Sequence, residues 1–253
     1  MTRIIMNGCN GRMGQAITAL IAGRDDIKIV CGTDTYDGIK NEYPVYPSLA
    51  MVTEDADVIV DFSNPSSLEG MLAYAKSKNL AVVVATTGLS EAQKQMLNSA
   101  SKDIAVFFSA NMSLGVNLLI ELASKAAKVL EETFDIEIIE KHHNQKLDAP
   151  SGTALAIADG INDSLTEPQQ YVYDRHSVRK KRSKTEIGIH SLRGGTIVGE
   201  HSVVFAGQDE VIEITHIAQS RQVFAAGAIS AAKFVSGKPA GYYNMQSLVN
   251  AIQ

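Results

Sequence analysis

The sequence lacks the residues on which several classes of protein depend. It has no tryptophan and two cysteines among 253 residues, too few for a disulfide framework. Its longest apolar runs, such as residues 80–85, are far shorter than the roughly 20 residues that span a bilayer. Lys and Arg number 23 against 28 Asp and Glu, so the net charge is −5. We therefore expect no membrane span and no nucleic-acid partner, because phosphate binding needs a basic surface.

What is present is typical of a folded globular protein. Hydrophobic residues make up 45% of the chain and charged residues 20%, which excludes wholesale disorder. The length suits one large or two modest domains, since domains typically hold about 100–200 residues. A glycine-rich motif stands within residues 1–30, where a signal peptide would lie. The sequence therefore predicts a cytoplasmic protein.

The first half of the chain alternates short apolar runs with segments of helical period. The predicted strands are 3–7, 27–33, 58–62, 80–85 and 104–108, and the helical segments include 11–22, 66–77 and 90–101. Strands that alternate with helices form βαβ units, whose strands are parallel. The pattern therefore predicts an α/β fold with a Rossmann-like, doubly wound parallel sheet.

The rhythm changes after Ser113. A long helix (114–131) precedes a strand (134–140), a helix (153–159) and strands at 187–192, 196–205 and 210–216. Turn signals at Gly194-Gly195 and Gly207-Gln208-Asp209 predict that these last strands follow one another as hairpins. We expect a second, α+β domain with a mixed sheet over 114–220. The first domain then holds 1–113 and 221–253, with the apolar helix 222–235 packed back on it.

A glycine-rich turn directly follows the first predicted strand. It contains Gly8, Asn10, Gly11, Arg12, Met13 and Gly14. Such glycines let the backbone approach a pyrophosphate held by helix N–H groups, although they also serve helix packing alone. Asp34 ends the second strand, where an acidic residue accepts hydrogen bonds from a ribose 2′-OH; a loop-capping role is the alternative. These residues predict NADH or NADPH as cofactor and do not choose between them.

Other loops follow strands of the same predicted sheet, whose strand ends face the ligand crevice. Their small polar residues suit a nicotinamide and its carboxamide, but each loop also reads as an ordinary capped turn. They contain Phe62-Ser63-Asn64-Pro65, Thr86-Thr87-Gly88 and Ser109-Ala110-Asn111-Met112-Ser113.

The densest group of polar residues lies in the second domain, between Glu140 and Thr153. It offers His142 and His143, a residue type suited to proton transfer, the fixed positive charge of Lys146, and a helix start at Ser151-Gly152-Thr153 that suits a carboxylate. A small acidic substrate fits this set. Metal binding by Glu140 and the His pair is a rival, weakened because adjacent strand residues point to opposite faces; a purely structural His pair is another.

A basic segment stands apart in this acidic chain. Residues 171–186 hold six Lys and Arg against two acidic residues. A solvated loop explains the segment, and a mobile rim that attracts an anionic substrate or cofactor is the alternative.

Taken together, these strings resemble one family over nearly the whole chain. Six strings carry the resemblance: the glycine turn 8–14, the Thr86-Thr87-Gly88 loop, the segments 111–117 and 140–153, the string 193–201, and Thr215-His216 with Arg221. They are similar to the 4-hydroxy-tetrahydrodipicolinate reductase (dihydrodipicolinate reductase) family. The family has a nicotinamide-binding first domain and a substrate and oligomerisation domain, and is usually a homotetramer. Gln145 and Thr35 stand where many members have a third His and a basic residue.

The resemblance implies a reaction and roles for residues. NAD(P)H would reduce 4-hydroxy-tetrahydrodipicolinate to tetrahydrodipicolinate, with loss of water, in lysine and diaminopimelate synthesis. His142 would be the proton donor, with His143, Lys146, Gly152 and Thr153 on the substrate, and Thr87, Gly88, Ala110 and Met112 near the nicotinamide. We expect Ser151 to help bind a substrate carboxylate. Two alternatives remain: an oxidoreductase for another acidic substrate, and a non-catalytic NAD(P)H-sensing module.

Overall fold

A computed structural model describes residues 1–109 and 111–252, which form two units. One unit comprises 1–114 and 222–252 and the other comprises 115–221. The strands are β1 Thr2–Asn7, β2 Ile27–Thr33, β3 Val45–Tyr46, β4 Val58–Asp61, β5 Ala81–Val84, β6 Ala105–Phe108, β7 Asp135–His142, β8 Gln170–Val172, β9 Glu186–Arg193, β10 Gly199–Ala206, β11 Val211–Ala218 and β12 Gly241–Tyr243. The helices are α1 Arg12–Ile21, α2 Leu68–Lys78, α3 Glu91–Ala100, α4 Leu114–Leu130, α5 Gly152–Asn162, α6 Gln222–Val235 and α7 Met245–Ile252.

The first unit is a Rossmann-like, doubly wound sheet. Its order is β12-β6-β5-β4-β1-β2-β3, and every neighbouring pair is parallel. The residues of β4 and β5 are all buried, as expected where helices cover both faces of a sheet. Helices α1 and α6 pack in the core of one face, and α2 and α3 in the core of the other. The predicted fold class is therefore confirmed for this unit.

The five strands predicted for this sheet are all present, and two more extend it. Strands β3 and β12 have two and three residues and were not predicted. Runs this short carry no measurable alternation, so neighbouring strands rather than local sequence define them. Each adds an edge strand, β3 beside β2 and β12 beside β6.

The second unit is a mixed five-stranded sheet covered on one face by helices. Its order is β11-β10-β7-β9-β8, with β10 antiparallel to both neighbours and β9 parallel to β7 and β8. Buried residues of α4 and α5 share a core with β7, β9 and β10. The mixed sheet was predicted, but the β9–β10 hairpin was wrong: β7 lies between these strands. Gly194-Gly195 turns the chain without pairing them, whereas β10 and β11 do form a hairpin.

Strand β7 carries the residues that lead to the site. Its residues alternate strictly between half-buried and buried positions, which places Ile136, Ile138, Glu140 and His142 on the helix-covered face. The first two belong to the apolar core, and the last two bring polar groups to its end. Two residues of one strand separated by one position share a face, so this local sequence sets the Glu140–His142 pairing.

The basic segment is tied to the outer side of the second unit. Arg175 and Arg182 pair with Glu137 at 2.7 and 2.9 Å. Arg175 and Lys180 also pair with Glu186 at 2.9 and 3.1 Å. Lys184 pairs with Asp135 at 3.3 Å, so four of the six basic side chains compensate acidic groups of β7 and β9, which weakens the mobile-rim alternative. Within residues 1–109 and 111–252, no helix is long and apolar enough to cross a membrane.

Two helical glycines give a test of the packing of α6. A Cβ on Gly227 would lie 1.6 Å from the Met112 carbonyl oxygen, whereas a Cβ on Gly70 in α2 meets no atom within 4 Å. We expect Gly227→Ala to lower the free energy of unfolding by about 2 kcal/mol or more, because overpacking forces the backbone apart. Gly70→Ala is the control and should stabilise by roughly 0.5–1 kcal/mol, the usual helix preference. Urea denaturation measures both; equal effects would contradict the predicted close approach.

Candidate active site

The glycine turn after β1 is shaped by close backbone approaches. Gly8 has a φ of +81°, and a Cβ there would lie 2.8 Å from the Phe62 carbonyl oxygen. A Cβ on Gly14 would lie 2.4 Å from the Gly8 carbonyl oxygen. Gly11 is the residue before α1, and no side chain caps the start of this helix. The first turn of α1 also holds no acidic residue. Its N–H groups are therefore available to an anion.

Asp34 lies just after β2, beside this turn. One carboxylate oxygen accepts from the Asn10 N–H (2.9 Å) and the other from the Tyr36 N–H (3.0 Å). The Asn10 side-chain amide in turn donates to the Tyr36 carbonyl. Asp34 thus caps its own loop, as the alternative for it supposed, and each of its oxygens carries one hydrogen bond from this set.

A cavity of about 540 Å³ opens next to the turn and to Asp34. Its lining includes Gly8, Gly11, Asp34 and Ser63, and Asp34 is the one charged residue among the described residues that line it. A nucleotide cofactor fits this cavity for three reasons: the helix start is uncapped, the glycines leave space that side chains would fill, and a carboxylate lies at the cavity wall. Of the other predicted residues of the turn, Arg12 is exposed and Met13 packs against the core.

A buried carboxylate that the sequence analysis did not single out connects four strand ends. Asp61, fully buried at the end of β4, accepts hydrogen bonds from Asn7 Nδ2 (2.7 Å), from Thr86 Oγ1 (2.7 Å), and from the backbone and hydroxyl of Ser63. Thr33 Oγ1 donates to Asn7 Oδ1 at 2.6 Å. The carboxyl ends of β1, β2, β4 and β5 are therefore joined by side chains directly below the predicted cofactor loops.

The remaining predicted cofactor residues lie on two loops of the first unit. Thr87 and Gly88 are exposed after β5, with a φ of +78° at Gly88. Ser109 Oγ donates to the Asn111 carbonyl at 2.8 Å, and Asn111 Oδ1 accepts from the Ser113 N–H at 2.9 Å. Met112 is buried against α6. Ala110, also predicted here, lies outside the described residues.

In the second unit, Glu140 holds His142 from the same strand. His142 Nδ1 lies 2.6 Å from Glu140 Oε2, and both side chains are buried. Arg193 from β9 donates from Nη1 to Oε2 (2.8 Å) and from Nη2 to Oε1 (2.7 Å), and the Ser151 N–H donates to Oε1 (3.0 Å). Burial opposes ionisation of this carboxyl, but these hydrogen bonds lower the pKa of Glu140 to about 2.

His142 experiences opposing influences. Burial lowers its pKa below the ordinary value, and the charges of Lys146 and Arg193 act in the same direction. The Glu140 carboxylate raises the pKa through its hydrogen bond and charge, without cancelling the effect of burial. The ring is therefore poised to give up a proton more readily than a solvated histidine.

The start of α5 and a second histidine lie beside this pair. Ser151 Oγ accepts from the Ala154 N–H (3.1 Å), which caps the helix, and lies 3.1 Å from His201 Nε2. Burial lowers the pKa of His201 to about 4, so this ring is neutral at physiological pH. Gly152 and Thr153 form the first turn of α5. The predicted helix start thus sits beside both histidines.

The loop between β7 and α5 holds the last two predicted residues. His143 is half-buried immediately after the strand, and Lys146 Nζ lies 2.8 Å from Asp148 Oδ1. Arg193 also donates to the Asp148 carbonyl at 2.7 Å, so it ties this loop to β9. In the described part of the chain, no group of three His, Cys, Asp or Glu residues is placed to hold a metal ion. Sequence reasoning named Glu140 only as a metal ligand, and gave Arg193 and His201 no role.

Comparison with known proteins identifies one family in both units. A family model described as "Dihydrodipicolinate reductase, N-terminus" matches residues 2–112, and one described as "Dihydrodipicolinate reductase, C-terminus" matches 115–249. The chain is 52% identical over 249 residues to a 4-hydroxy-tetrahydrodipicolinate reductase of Caldanaerobacter subterraneus subsp. tengcongensis, covering 98% of each chain. It is 48% identical over 251 residues to that of Clostridium tetani, covering 99% of this chain and 98% of that one.

A solved structure agrees with these sequence relatives. The dipicolinate-bound dihydrodipicolinate reductase of Paenisporosarcina sp. TG-14 superimposes with a TM-score of 0.81 at 26% identity, covering 99% of both chains. The fold predicted for the two units is therefore that of a known dicarboxylate-binding reductase.

Proposed function

The chain belongs to the dihydrodipicolinate reductase family, and we propose that His142 is the proton donor of its reaction. The enzyme is an NAD(P)H-dependent oxidoreductase that reduces 4-hydroxy-tetrahydrodipicolinate to tetrahydrodipicolinate, with loss of water, in lysine biosynthesis. It takes a nicotinamide cofactor and a small dicarboxylate substrate. The observation that supports the role of His142 is its buried hydrogen bond to a carboxylate that is itself held by Arg193.

The reaction needs one proton besides a hydride. Loss of the 4-hydroxyl group as water leaves a conjugated imine in the substrate ring. When bound, the nicotinamide supplies the hydride that adds to ring carbon 4. The electron pair of the resulting enamine then takes a proton, and His142 delivers it as general acid. Its lowered pKa, which burial causes, favours this transfer.

Substrate carboxylates are assigned to the cationic and helix-start groups around His142. Lys146 supplies a positive charge, and Ser151, Gly152 and Thr153 supply the N-terminal turn of α5, whose N–H groups favour an anion. His143, next to the acid in sequence, contacts the substrate from the half-buried start of the loop. In this proposal Lys146 acts in both substrate binding and turnover. Its positive charge attracts the substrate carboxylates, and it also stabilises the negative charge that the hydride brings to the substrate.

The first unit is proposed to bind the dinucleotide. The pyrophosphate lies on the glycine turn and the start of α1 (Gly8, Asn10, Gly11, Arg12, Met13 and Gly14), and Asp34 accepts from the ribose hydroxyls. The nicotinamide lies by Thr86, Thr87 and Gly88 and by Ser109, Ala110, Asn111 and Met112. Because the one charged side chain of the described cavity lining is a carboxylate, we propose NADH rather than NADPH as the preferred cofactor.

The second unit is proposed to bind substrate and to form the contacts of a homotetramer. Helices α4 and α5 cover one face of its sheet. The other face exposes Leu192 on β9 and Val211 and Ile217 on β11. Exposed apolar groups on the sheet face opposite the helices are typical of an assembly surface.

The assignment of the proton donor is tested by His142→Gln. Glutamine keeps a similar volume but has no titrating group, so kcat should fall about 100-fold or more, the usual contribution of a general acid. The assay follows NADH oxidation at about 340 nm, a nicotinamide absorbance, with substrate made in situ from pyruvate and aspartate semialdehyde by its synthase. His176→Gln, on an exposed loop, is the control. A near-normal kcat for His142→Gln would remove His142 from the mechanism.

Cofactor preference is tested in the same assay with NADH and NADPH. We expect kcat/KM to favour NADH by about tenfold or more, because a 2′-phosphate beside the Asp34 carboxylate is repelled. Asp34→Asn should narrow the ratio, mainly through a lower KM for NADPH. A wild-type preference for NADPH, or a ratio that Asp34→Asn leaves unchanged, would contradict the proposal.

Assembly is tested by light scattering after size-exclusion chromatography. We expect a mass four times the chain mass of 27.2 kDa. Ile217→Asp, which places a charge on the exposed sheet face, should shift the mass towards smaller species while circular dichroism stays unchanged. A monomeric wild-type protein at micromolar concentration would overturn the proposal.

A further inference from the structure

The geometry points to Glu140 as the residue that decides which nitrogen of His142 gives its proton away. We propose that Glu140 is a positioning residue: it keeps a proton on His142 Nδ1, so that Nε2 is the nitrogen that protonates the substrate. Gly199 on β10 completes the arrangement by leaving the space beside Nε2 open. This inference rests on the proposed role of His142 as proton donor.

The carboxylate of Glu140 can only accept hydrogen bonds. Oε1 receives bonds from Arg193 Nη2 and the Ser151 N–H, and Oε2 receives one from Arg193 Nη1. A guanidinium is a donor under all ordinary conditions, so a carboxylate bound by both its nitrogens is ionised. His142 Nδ1, 2.6 Å from Oε2, must therefore carry the hydrogen of that contact. The neutral ring is then the Nδ1–H tautomer.

The position of the carboxylate does not depend on His142. Arg193 of β9 donates to both oxygens of Glu140, and the Ser151 N–H at the start of α5 adds a second hydrogen bond to Oε1. Glu140 is also fully buried, so water does not compete for its oxygens. The ring of His142 is consequently oriented by a preformed acceptor.

The opposite nitrogen of the ring is left without a bond. Within the described residues, His142 Nε2 makes no hydrogen bond, and it lies 3.1 Å from the place that a Cβ on Gly199 would occupy. The φ of Gly199 is not in the left-handed region, so the backbone itself does not require glycine there. What the missing side chain provides is clearance beside Nε2.

Several charged and titratable groups surround this ring. Glu140 lies on the same strand, Arg193 on β9, and Lys146 on the following loop. His201 on β10 packs edge-on at 5.1 Å between ring centroids, and His216 on β11 lies beyond it. Glu140 is the one of these whose charge raises the pKa of His142. Its removal should therefore lower that pKa further, and leave Arg193 uncompensated with an effect of the same sign.

The first test is the pH profile of kcat for Glu140→Gln. A general acid must be protonated, so kcat falls as pH rises through its pKa. Loss of the nearby opposite charge should move this falling limb to lower pH by about one unit, so that kcat at pH 8 drops roughly tenfold while the acidic plateau stays within a few-fold. Glu137→Gln is the matched control, because Glu137 lies on the same strand, faces the other way and also pairs with a histidine and arginines. Its falling limb should remain at the wild-type pH.

The second test reads the tautomer directly and needs no turnover. Proton–nitrogen NMR correlations of the imidazole rings should report Nδ1–H in the neutral His142 ring of the wild-type protein. The signals of His142 are assigned as those that disappear in His142→Gln. Glu140→Gln should shift or average this signal, because an amide can also donate to Nδ1. A wild-type Nε2–H tautomer would overturn the proposal, as would an unchanged tautomer and an unchanged limb in the variant.

Gly199→Ala tests the other nitrogen without touching the ion pair, and covers the case in which Glu140→Gln does not fold. Its methyl group would crowd Nε2, so kcat should fall about tenfold or more while NADH affinity and the Nδ1–H signal persist. Full activity of Gly199→Ala would show that clearance beside Nε2 is not needed and would overturn that part. If His142→Gln keeps the wild-type kcat, His142 is not the proton donor, whichever tautomer it adopts. This result separates a failure of the proposed proton donor from a failure of the proposed role of Glu140.

Discussion

A carboxylate buried at the end of a strand has to be given hydrogen bonds by the protein, since an ionised group taken out of water costs several kcal/mol otherwise. Each unit of this enzyme has a fully buried carboxyl group near the carboxyl end of a strand. Asp61 ends β4 in the first unit, and Glu140 lies near the end of β7 in the second; both are fully buried. Asp61 is hydrogen-bonded to strand ends whose loops we assign to the cofactor, and the loop after Glu140 and His142 is the one we assign to the substrate.

The two carboxylates are satisfied in different ways, and the difference suits their surroundings. Asp61 is held by neutral donors, from Asn7, Ser63 and Thr86, which belong to neighbouring strand ends and their loops. Glu140 is held by the guanidinium of Arg193. A neutral donor set fixes loops without adding positive charge, whereas the ion pair keeps Glu140 ionised beside a histidine and so leaves it an acceptor.

Much of the fold could be predicted because its signals are local. Helix α6 and strand β2 have the predicted bounds, since apolar periodicity and alternation need only adjacent residues. The predicted β9–β10 hairpin was wrong because turn residues indicate a reversal but not which strand fills the neighbouring position, and here β7 does. The short edge strands β3 and β12 depend on a partner that already exists.

The site divides in the same way. His142 and the Ser151 helix start were predicted from a dense polar segment, and their roles remain predictions. The residues that hold the two buried carboxyl groups were missed because they are distant in sequence. Arg193 is 53 residues from Glu140, and Asn7 is 54 residues from Asp61. Nothing in a single sequence pairs such residues. One signal was available in the sequence: Asp61 and Glu140 occupy strand positions at which the pattern of buried residues predicts an apolar side chain.

The two adjacent histidines show how much follows from strand geometry alone. His142 is the last residue of β7 and inherits the buried side of its alternation, which also carries Glu140. His143 comes after the strand has ended and has no such constraint. A ring fixed from within by a buried carboxylate can hold its proton at one atom, whereas a ring on a loop can adapt to a ligand. The strand therefore constrains His142 and not His143, which is the difference on which we base the two roles proposed for them.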